Sequence, residues 1–411
     1  MLSWRQAIPE STTAAMGQRP ERRKGRALGG GTTDTVDGTI VPTDPVPPTG
    51  SSVAQGGEAG ASVCYVALRM VDRVGTVLIG RNEAPRLARA LQVLGENPAR
   101  VIYVDSGSTD GSPEIAERAG VSALRLTEGP FSAARGRQAG LERLLAQNPE
   151  LEHVQFLDGD CAMDEGWIAA ASQFLDENPA VAAVTGRLRE QRDASSLLLR
   201  VVEVDWDLPS GDTDVIGGNS MMRVSALVAV GGWRADLVAG EELDLSTRLR
   251  TAGLRLHRLA RDMCRHDIGI TRWSEFWRRS IRTGHSYAEL ALLHRGAGPL
   301  RWQSRTLGNI GYGLMLPVLL VAGLLAYRPL AIAALAVDCL LVARLAVGRL
   351  RRGDPALVAF AYAFATAACK LAGGIGVLKL MASRARGRRP TLIEYKAAAG
   401  GATGGAAGRD R

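Results

Sequence analysis

Cysteine is scarce and unpatterned in this chain. The 411 residues hold five, Cys64, Cys161, Cys264, Cys339 and Cys369, far apart and without a CxxC spacing. That excludes a zinc ribbon and a disulfide framework and fits a reducing compartment. The first thirty residues lack an apolar h-region and carry "RPERRKGR" instead, so no secretory signal peptide is expected there. No internal repeat is visible. No G-x-G-x-x-G follows a strand and no Walker A loop is present, which argues against a dinucleotide fold and a P-loop enzyme.

What the chain does have is positive charge beside apolar sequence. Lys and Arg number 50 against 42 Asp and Glu, giving a formal net charge of +8 and a pI of about 9.6. The arginines gather next to the C-terminal apolar stretches, which favours a membrane surface over nucleic acid. Residues 1–68 are rich in Gly, Pro, Thr and Ser and are expected to form a disordered tail. Residues 69–300 have the texture of a globular domain, 301–390 turn to Leu, Ala, Val and Gly, and 391–411 form a Gly/Ala-rich tail, also expected to be disordered.

Within 69–300 short apolar runs alternate with helical patterns. "GTVLIG", "ARVIYVDSG", "SALRL" and "HVQFLDGD" read as strands, while "RLARALQVL", "SPEIAERAG" and "AARGRQAGLERLLAQ" read as helices. That alternation predicts an α/β fold, a mostly parallel sheet with helices on both faces. Ligands of such sheets bind beyond the carboxyl ends of the strands. Two acidic motifs fall there.

The first, Asp105 to Ser112 ("DSGSTDGS"), gathers side-chain oxygens and turn amides that suit a nucleoside's base and ribose. The plainer reading is a strand-to-helix turn with Ser112 or Asp110 as N-cap. The second is Asp158-Gly159-Asp160 after "VQFL". Two acids turned the same way repel unless a divalent cation lies between them and a phosphate, and oxygen ligands favour Mg²⁺ or Mn²⁺.

Five segments in order, "VGTVLIGRNEAPRLARAL", "VIYVDSGSTDGS", "FLDGDCAMDEGW", "GGNSMMRVSALVAVGGW" and "GEELDLSTRLRTAG", resemble family 2 glycosyltransferases of the GT-A fold over roughly residues 74–290. The resemblance implies an inverting, metal-dependent transferase using a nucleotide-diphosphate sugar. It puts Asn82, Glu83, Asp105 and Ser106 at the nucleoside, and Asp158 and Asp160 at the metal and diphosphate. His266 matches a histidine that some GT-A enzymes use as an extra metal ligand. The family generally has Glu-Asp where this chain reads Glu241-Glu242, so Glu242 is expected to be the base that takes the acceptor's proton. Asp244 is a rival, read rather as the cap of "LSTRLRTAG". Gly217, Gly218, Asn219 and Trp233 are expected on the acceptor side. Arg278, Arg279 and Arg282 in "EFWRRSIRTGHS" are candidates for the departing diphosphate, with Arg279 the leading one. Their helix is alternatively a basic amphipathic face on lipid, anchored by Trp273, Phe276 and Trp277. The Q-x-x-R-W motif of processive synthases is missing, so one sugar per acceptor is expected.

Leu307 to Tyr327 is free of charge and long enough to span a bilayer. Pro329–Val347 and Pro355–Met381 follow. Charge bias favours two spans and a re-entrant or surface-lying third segment, because a third crossing would put "RARGRR" outside; length favours three, and three is the expectation taken. A pairing of Asp338 with Lys370 inside the bundle is also expected. Together these features describe a multi-pass enzyme of a bacterial-type plasma (inner) membrane with its catalytic domain in the cytoplasm. Its partners would be a nucleotide-diphosphate sugar, a glycan or lipid-linked acceptor and membrane lipids, with no nucleic acid. The competing readings are a nucleotidyltransferase, which "GRNEAPR" fits poorly for want of a glycine- and lysine-rich loop, and a catalytically inactive transferase-like scaffold.

Overall fold

The computed structural model describes residues 73–94, 98–129, 131–191, 196–295 and 301–387. They fall within one compact unit, Gly56–Arg411, and the tails expected at 1–68 and 391–411 lie outside the described residues. The strands are β1 (Val74–Gly80), β2 (Val101–Asp105), β3 (Ser122–Arg125), β4 (His153–Asp158), β5 (Cys161–Met163), β6 (Val181–Glu190), β7 (Gly211–Thr213), β8 (Ser220–Arg223) and β9 (Arg255–His266). The helices around the sheet are α1 (Ala84–Leu94), α2 (Ser112–Arg118), α3 (Ala133–Gln147), α4 (Trp167–Glu177), α5 (Leu197–Trp206), α6 (Val224–Ala229), α7 (Glu241–Thr251) and α8 (Trp273–Leu293). After them come α9 (Arg301–Ile310), a π turn (Gly311–Met315), α10 (Leu316–Ala326), α11 (Arg328–Leu350) and α12 (Ala356–Ala385).

Side chains of a strand alternate between faces, so a continuous apolar run needs cover on both sides. That is what the runs receive. Leu78, Tyr103, Leu157 and Met221 point into a core closed by Leu87 and Leu91 of α1 and by Trp167 and Leu175 of α4. Their neighbours Val77, Ile102, Phe156 and Met222 point into a second core closed by Leu141 and Leu144 of α3 and Leu245 and Leu249 of α7. At about 1.5–3 kcal/mol per fully buried large apolar side chain, these two layers dominate the favourable energy of the fold.

The strands form one sheet in the order β3-β2-β1-β4-β8-β6-β9-β5, with β7 also on β9. β1 pairs in parallel with β2 and β4, and β6 with β9; β8, β5 and β7 join antiparallel. The expected mostly parallel sheet with helices on both faces is present, with antiparallel insertions in its second half. The connections leave β1 towards β2 on one side and return to β4 on the other, which opens a crevice at their carboxyl ends. Register places Gly80 opposite Asp105, and Ile79 opposite Asp158, so both acidic motifs end on that crevice.

Three helical stretches, Trp302–Ala326, Arg328–Leu350 and Ala356–Ala385, are long and apolar enough to cross a membrane. Leu325, Ile332, Leu340, Leu357 and Phe364 on them are exposed. The expected Asp338–Lys370 pair is not formed. Lys370 Nζ lies beside Gly308 of α9, while Asp338 sits on an exposed stretch of α11. Helical periodicity decides which face a side chain occupies, and these two ended on faces that do not meet.

Candidate active site

The polar turn after β2 is clipped to the loop after β1. Asn82, in a left-handed conformation (φ 57°), accepts from the Thr109 amide (2.9 Å) and donates its own amide to Ser108 Oγ (2.8 Å). The Glu83 amide donates to Ser112 Oγ (3.0 Å). Asp105, buried, accepts from the amides of Gly107 (3.0 Å) and Ser108 (2.9 Å), and the Ser106 amide donates to Gly80. Helix α2 takes Gly111 as its N-cap residue, not Ser112 or Asp110, although Asp110 still accepts from the Ser112 amide (3.1 Å). Glu83 is committed to Arg86 (2.5 Å), which also reaches Asp267 (2.9 Å).

Across the crevice the organising group is Arg137. It occupies the inward stripe of α3 with Ala134, Leu141 and Leu144, and it is 3% exposed. A guanidinium at such a position needs acids, and it has two: Asp158 Oδ1 at 2.7 Å and Glu241 Oε1 at 2.7 Å. Burial works against its charge, but Asp158 and Glu241 more than offset that and the net pKa lies above the ordinary arginine value. The Arg137 head lies 5.1 Å from the Trp233 ring centroid, and Trp233 in turn meets Phe156 edge-on at 5.1 Å. Gly218 is required here, because a Cβ would collide with the Arg137 Nη2. Asn219 accepts from the Asp158 amide (2.7 Å) and its Nδ2 lies 3.3 Å from Cys161 Sγ. The segment expected on the acceptor side is thus packed against Asp158, Cys161 and Arg137, and Trp233 is buried beside the Arg137 head.

Helix α7 begins at Glu241 behind Gly240 (φ 80°), so Asp244 is inside the first turn rather than its cap. Fully buried, it is held by Arg248 (2.7 Å) and by His294 (3.0 Å). Glu242 differs from both neighbours. It is half-buried, and its pKa is pushed up to about 7, first by burial and then by the charge of Glu241, with Arg137 and Arg282 pulling the other way. Of the three arginines on α8, then, Arg282 is the one whose charge reaches this acid. Arg279 acts on Asp205, and Arg278 is exposed.

Asp158 and Asp160 have different ion-pair partners. Asp158 turns to Arg137, whereas Asp160 turns to His266, whose Nε2 is 3.2 Å from Oδ1. The metal-ligating types that converge are Asp160, Cys161 and His266, with candidate donor atoms all within 4.8 Å of one another. β5 and β9 set this up, since Cys161 and His266 are register partners. A carboxylate oxygen, an imidazole nitrogen and a thiol sulfur together suit a divalent transition metal, so the donor set fits such an ion. Sequence reasoning missed Cys161, which lacked any cysteine spacing, and Arg137. The signal for Arg137 was present: a charge at core spacing in "AARGRQAGLERLL".

Residues 77–230 match the Glycosyl transferase family 2 profile. The chain is 28% identical over 346 residues to the pre-mycofactocin glycosyltransferase of Mycobacterium tuberculosis, covering 78% of this chain and 69% of that protein. It is 25% identical over 237 residues to the O-antigen chain rhamnosyltransferase WbaN of Salmonella anatum, covering 54% of this chain and 70% of the other. A solved structure of the mannosyltransferase PcManGT from Pyrobaculum calidifontis, in complex with GDP-Man and Mn²⁺, covers 78% of this chain and 95% of its own at 20% identity, with a TM-score of 0.48, too loose a match to build on. Ordered motifs and profile agree: residues 77–230 match glycosyl transferase family 2, and the protein is a glycosyltransferase that draws on a nucleotide-sugar donor.

Proposed function

We propose that the protein is a membrane-bound, metal-dependent, inverting glycosyltransferase that moves one sugar per turnover to a lipid-linked or surface-glycan acceptor on the cytoplasmic side of the plasma membrane. The observation that carries the reading is Glu242, whose pKa is pushed up to about 7 at the start of α7, next to Glu241, which the buried Arg137 ties to Asp158 at the strand end. A base is most effective when its pKa lies near the working pH.

The chemistry is a single displacement. The acceptor hydroxyl oxygen forms a bond to the anomeric carbon as Glu242 takes its proton. The bond from that carbon to the diphosphate oxygen breaks, and its electron pair leaves with the nucleoside diphosphate, inverting the carbon. Glu241 raises the basicity of Glu242 and is itself fixed by Arg137. Asn82, Glu83, Asp105 and Ser106 shape the nucleoside end of the crevice, and Asp158 the diphosphate end. Asp160, His266 and Cys161 would hold the divalent ion, which when bound supplies positive charge against the diphosphate oxygens. Arg282 is placed to add a second positive charge on the acceptor side. Gly218, Asn219 and Trp233 form the wall behind Asp158.

A membrane acceptor is supported by packing. Gly240, immediately before Glu241, rests on Ser286 of α8, and the other side of α8 rests on the apolar helix α12. The acid pair is thus one helix away from an apolar element. The named activity of the O-antigen relative is consistent with a surface glycan.

The test is a donor screen on the full chain in detergent, following nucleoside diphosphate release from GDP-, UDP- and dTDP-sugars with Mn²⁺ or Mg²⁺. Release from one donor, stopped by EDTA and by Glu242→Gln while donor binding persists, is the expected result. Pyrophosphate release would point to a nucleotidyltransferase. Failure of every donor to bind or react would remove the transferase reading.

A further inference from the structure

The last apolar helix, α12, has two unlike faces. Val358, Ala359, Ala363, Ala372, Val377 and Leu380 are buried, whereas Leu357, Phe360, Phe364, Leu371, Leu378 and Met381 are exposed. The exposed set recurs at steps of three, four and seven, which is one stripe of a helix.

The buried face is covered by the catalytic unit along most of its length. Tyr362 bonds to Asp205, just before the end of α5. Cys369 Sγ lies 2.9 Å from Ser280 Oγ of α8. A Cβ on Gly284 of α8 would collide with the Gly373 backbone, and one on Gly376 would collide with the Ile281 carbonyl of α8. Val377 and Leu380 pack with Ala288. Burial first, then Arg384 and Lys379, hold the His285 pKa below its usual value, so the end of α12 is also beside α8. Helix α8 carries Arg278, Arg279, Arg282, His285 and Glu289. A crossing by α12 would draw these charges into hydrocarbon with it.

The hairpin of α10 and α11 behaves differently. Gly323 touches Ala331 at its far end. Its near end returns to the catalytic unit, where Arg349 faces Asp207 at 3.6 Å and also pairs with Asp354. Helix α12 meets the first apolar stretch around Gly308, Asn309, Ile310, Gly313 and Leu314, within the half nearer Trp302, which donates to Thr247 of α7 (3.1 Å), and its start packs on the near end of α11, where the Arg349 head lies 5.6 Å from the Tyr362 ring centroid. Basic residues mark both ends of α12, Arg351 and Arg352 before it, Arg384 in its last turn and Arg386 after it, and a spanning helix can keep only one end on the positive side.

We infer that α12 lies in the plane of the membrane, one face on the catalytic unit and the Leu357–Met381 stripe in the headgroup–acyl boundary, so that the chain crosses the bilayer twice. The partner of the stripe is the lipid surface itself, continuous with the hairpin beside it. Lys370, at mid-helix, is tolerated at an interface where it reaches water and headgroups. The inference rests on the membrane-bound reading but not on the chemistry.

Cysteines introduced one at a time at Glu177 (sheet-bearing unit), Tyr327 (hairpin tip) and Gly387 (after α12) test it in the full chain, with Cys64, Cys339 and the part-exposed Cys369 replaced by Ser and only the buried Cys161 and Cys264 kept. Each variant is labelled with a membrane-impermeant maleimide in right-side-out and in inverted membrane vesicles. Glu177→Cys and Gly387→Cys are expected to label in the same vesicles, and Tyr327→Cys at least about tenfold better in the opposite ones. Labelling of Gly387→Cys with Tyr327→Cys would overturn the inference, because α12 then crosses. Equal labelling of all three in both vesicles would overturn it together with membrane insertion. Neither outcome depends on sugar transfer, so loss of the transferase reading would show separately.

Discussion

At the scale of single residues, the environment of Glu242 makes two linked predictions. A carboxyl held at about 7 rather than near the ordinary glutamate value folds more readily when protonated, so its contribution to stability is present below the unfolded pKa and lost as pH rises through 7. Glu242→Gln removes that loss and should stabilise the protein above pH 7, by an amount on the order of 1–3 kcal/mol, while lowering kcat by about 10²–10⁴. Thermal unfolding at pH 6 and pH 8 beside donor turnover checks both; equal stability of variant and wild type at pH 8 would sink the assignment of the shift. In the wild type, kcat should rise with pH through about 7, since the base works deprotonated. The metal group makes a third prediction: Asp160→Ala and His266→Ala should each weaken Mn²⁺ binding by calorimetry at least about tenfold, and Asp158→Asn less, because Asp158 is turned to Arg137. An equal loss for all three would restore the shared-cation picture of the two acids. Asp105, Asp158, Asp160, Glu241, Glu242 and His266 could be singled out in the sequence because acids and imidazoles at strand ends and helix starts stand out by motif and order. Their division of labour was not. It depends on which way Asp158 rotates, and that is decided by an arginine twenty-one positions earlier whose partners no local pattern names.

Among the elements, the strands were the most legible, because short runs rich in β-branched and apolar residues, such as "VGTVLIG" and "VIYVD", point to a sheet covered on both faces. Helix starts were less so. Sequence favours Asp244 as a cap on composition, but Gly240 at positive φ opens the helix four residues earlier and puts the acids in its first turn, where the N-terminal end of the helix dipole favours negative charge. Antiparallel β8, β5 and β7 are short and come from segments whose pairing is fixed by partners distant in the chain, so no window of sequence contains the information. Helix α8 has the largest consequence at this scale. One side of it supports Gly240 and the other accepts the backbone of α12 at Gly284. Gly284→Val should therefore force the two helices apart, costing about 1–3 kcal/mol as overpacking, and should lower kcat because Arg282 and the start of α7 move with α8. Thermal shift and turnover in detergent read the two effects. A variant that melts like the wild type would mean that the Gly284–Gly373 contact is not made.

For the whole molecule, the balance of charge and apolar surface determines where the protein resides. A net charge of +8 would by itself give a loose, salt-sensitive attachment to anionic lipid. The exposed leucines on α10 and α11 require something stronger, since Leu324, Leu325, Ile332, Leu335 and Leu340 would otherwise form an apolar surface open to water. Two stretches of 25 and 23 residues joined by a tight turn at Tyr327 make a hairpin long enough to cross and return. The two kinds of attachment separate under extraction. Charge-held protein leaves membranes in about 1 M salt, where the Debye length falls to about 3 Å, whereas an inserted hairpin stays through salt and alkaline carbonate and leaves only in detergent. The expected outcome is retention in the pellet under both washes with donor turnover recovered in the detergent extract. Release by salt alone would make the basic surface the anchor and leave α10 and α11 in need of a protein partner, because nothing else would cover that much leucine.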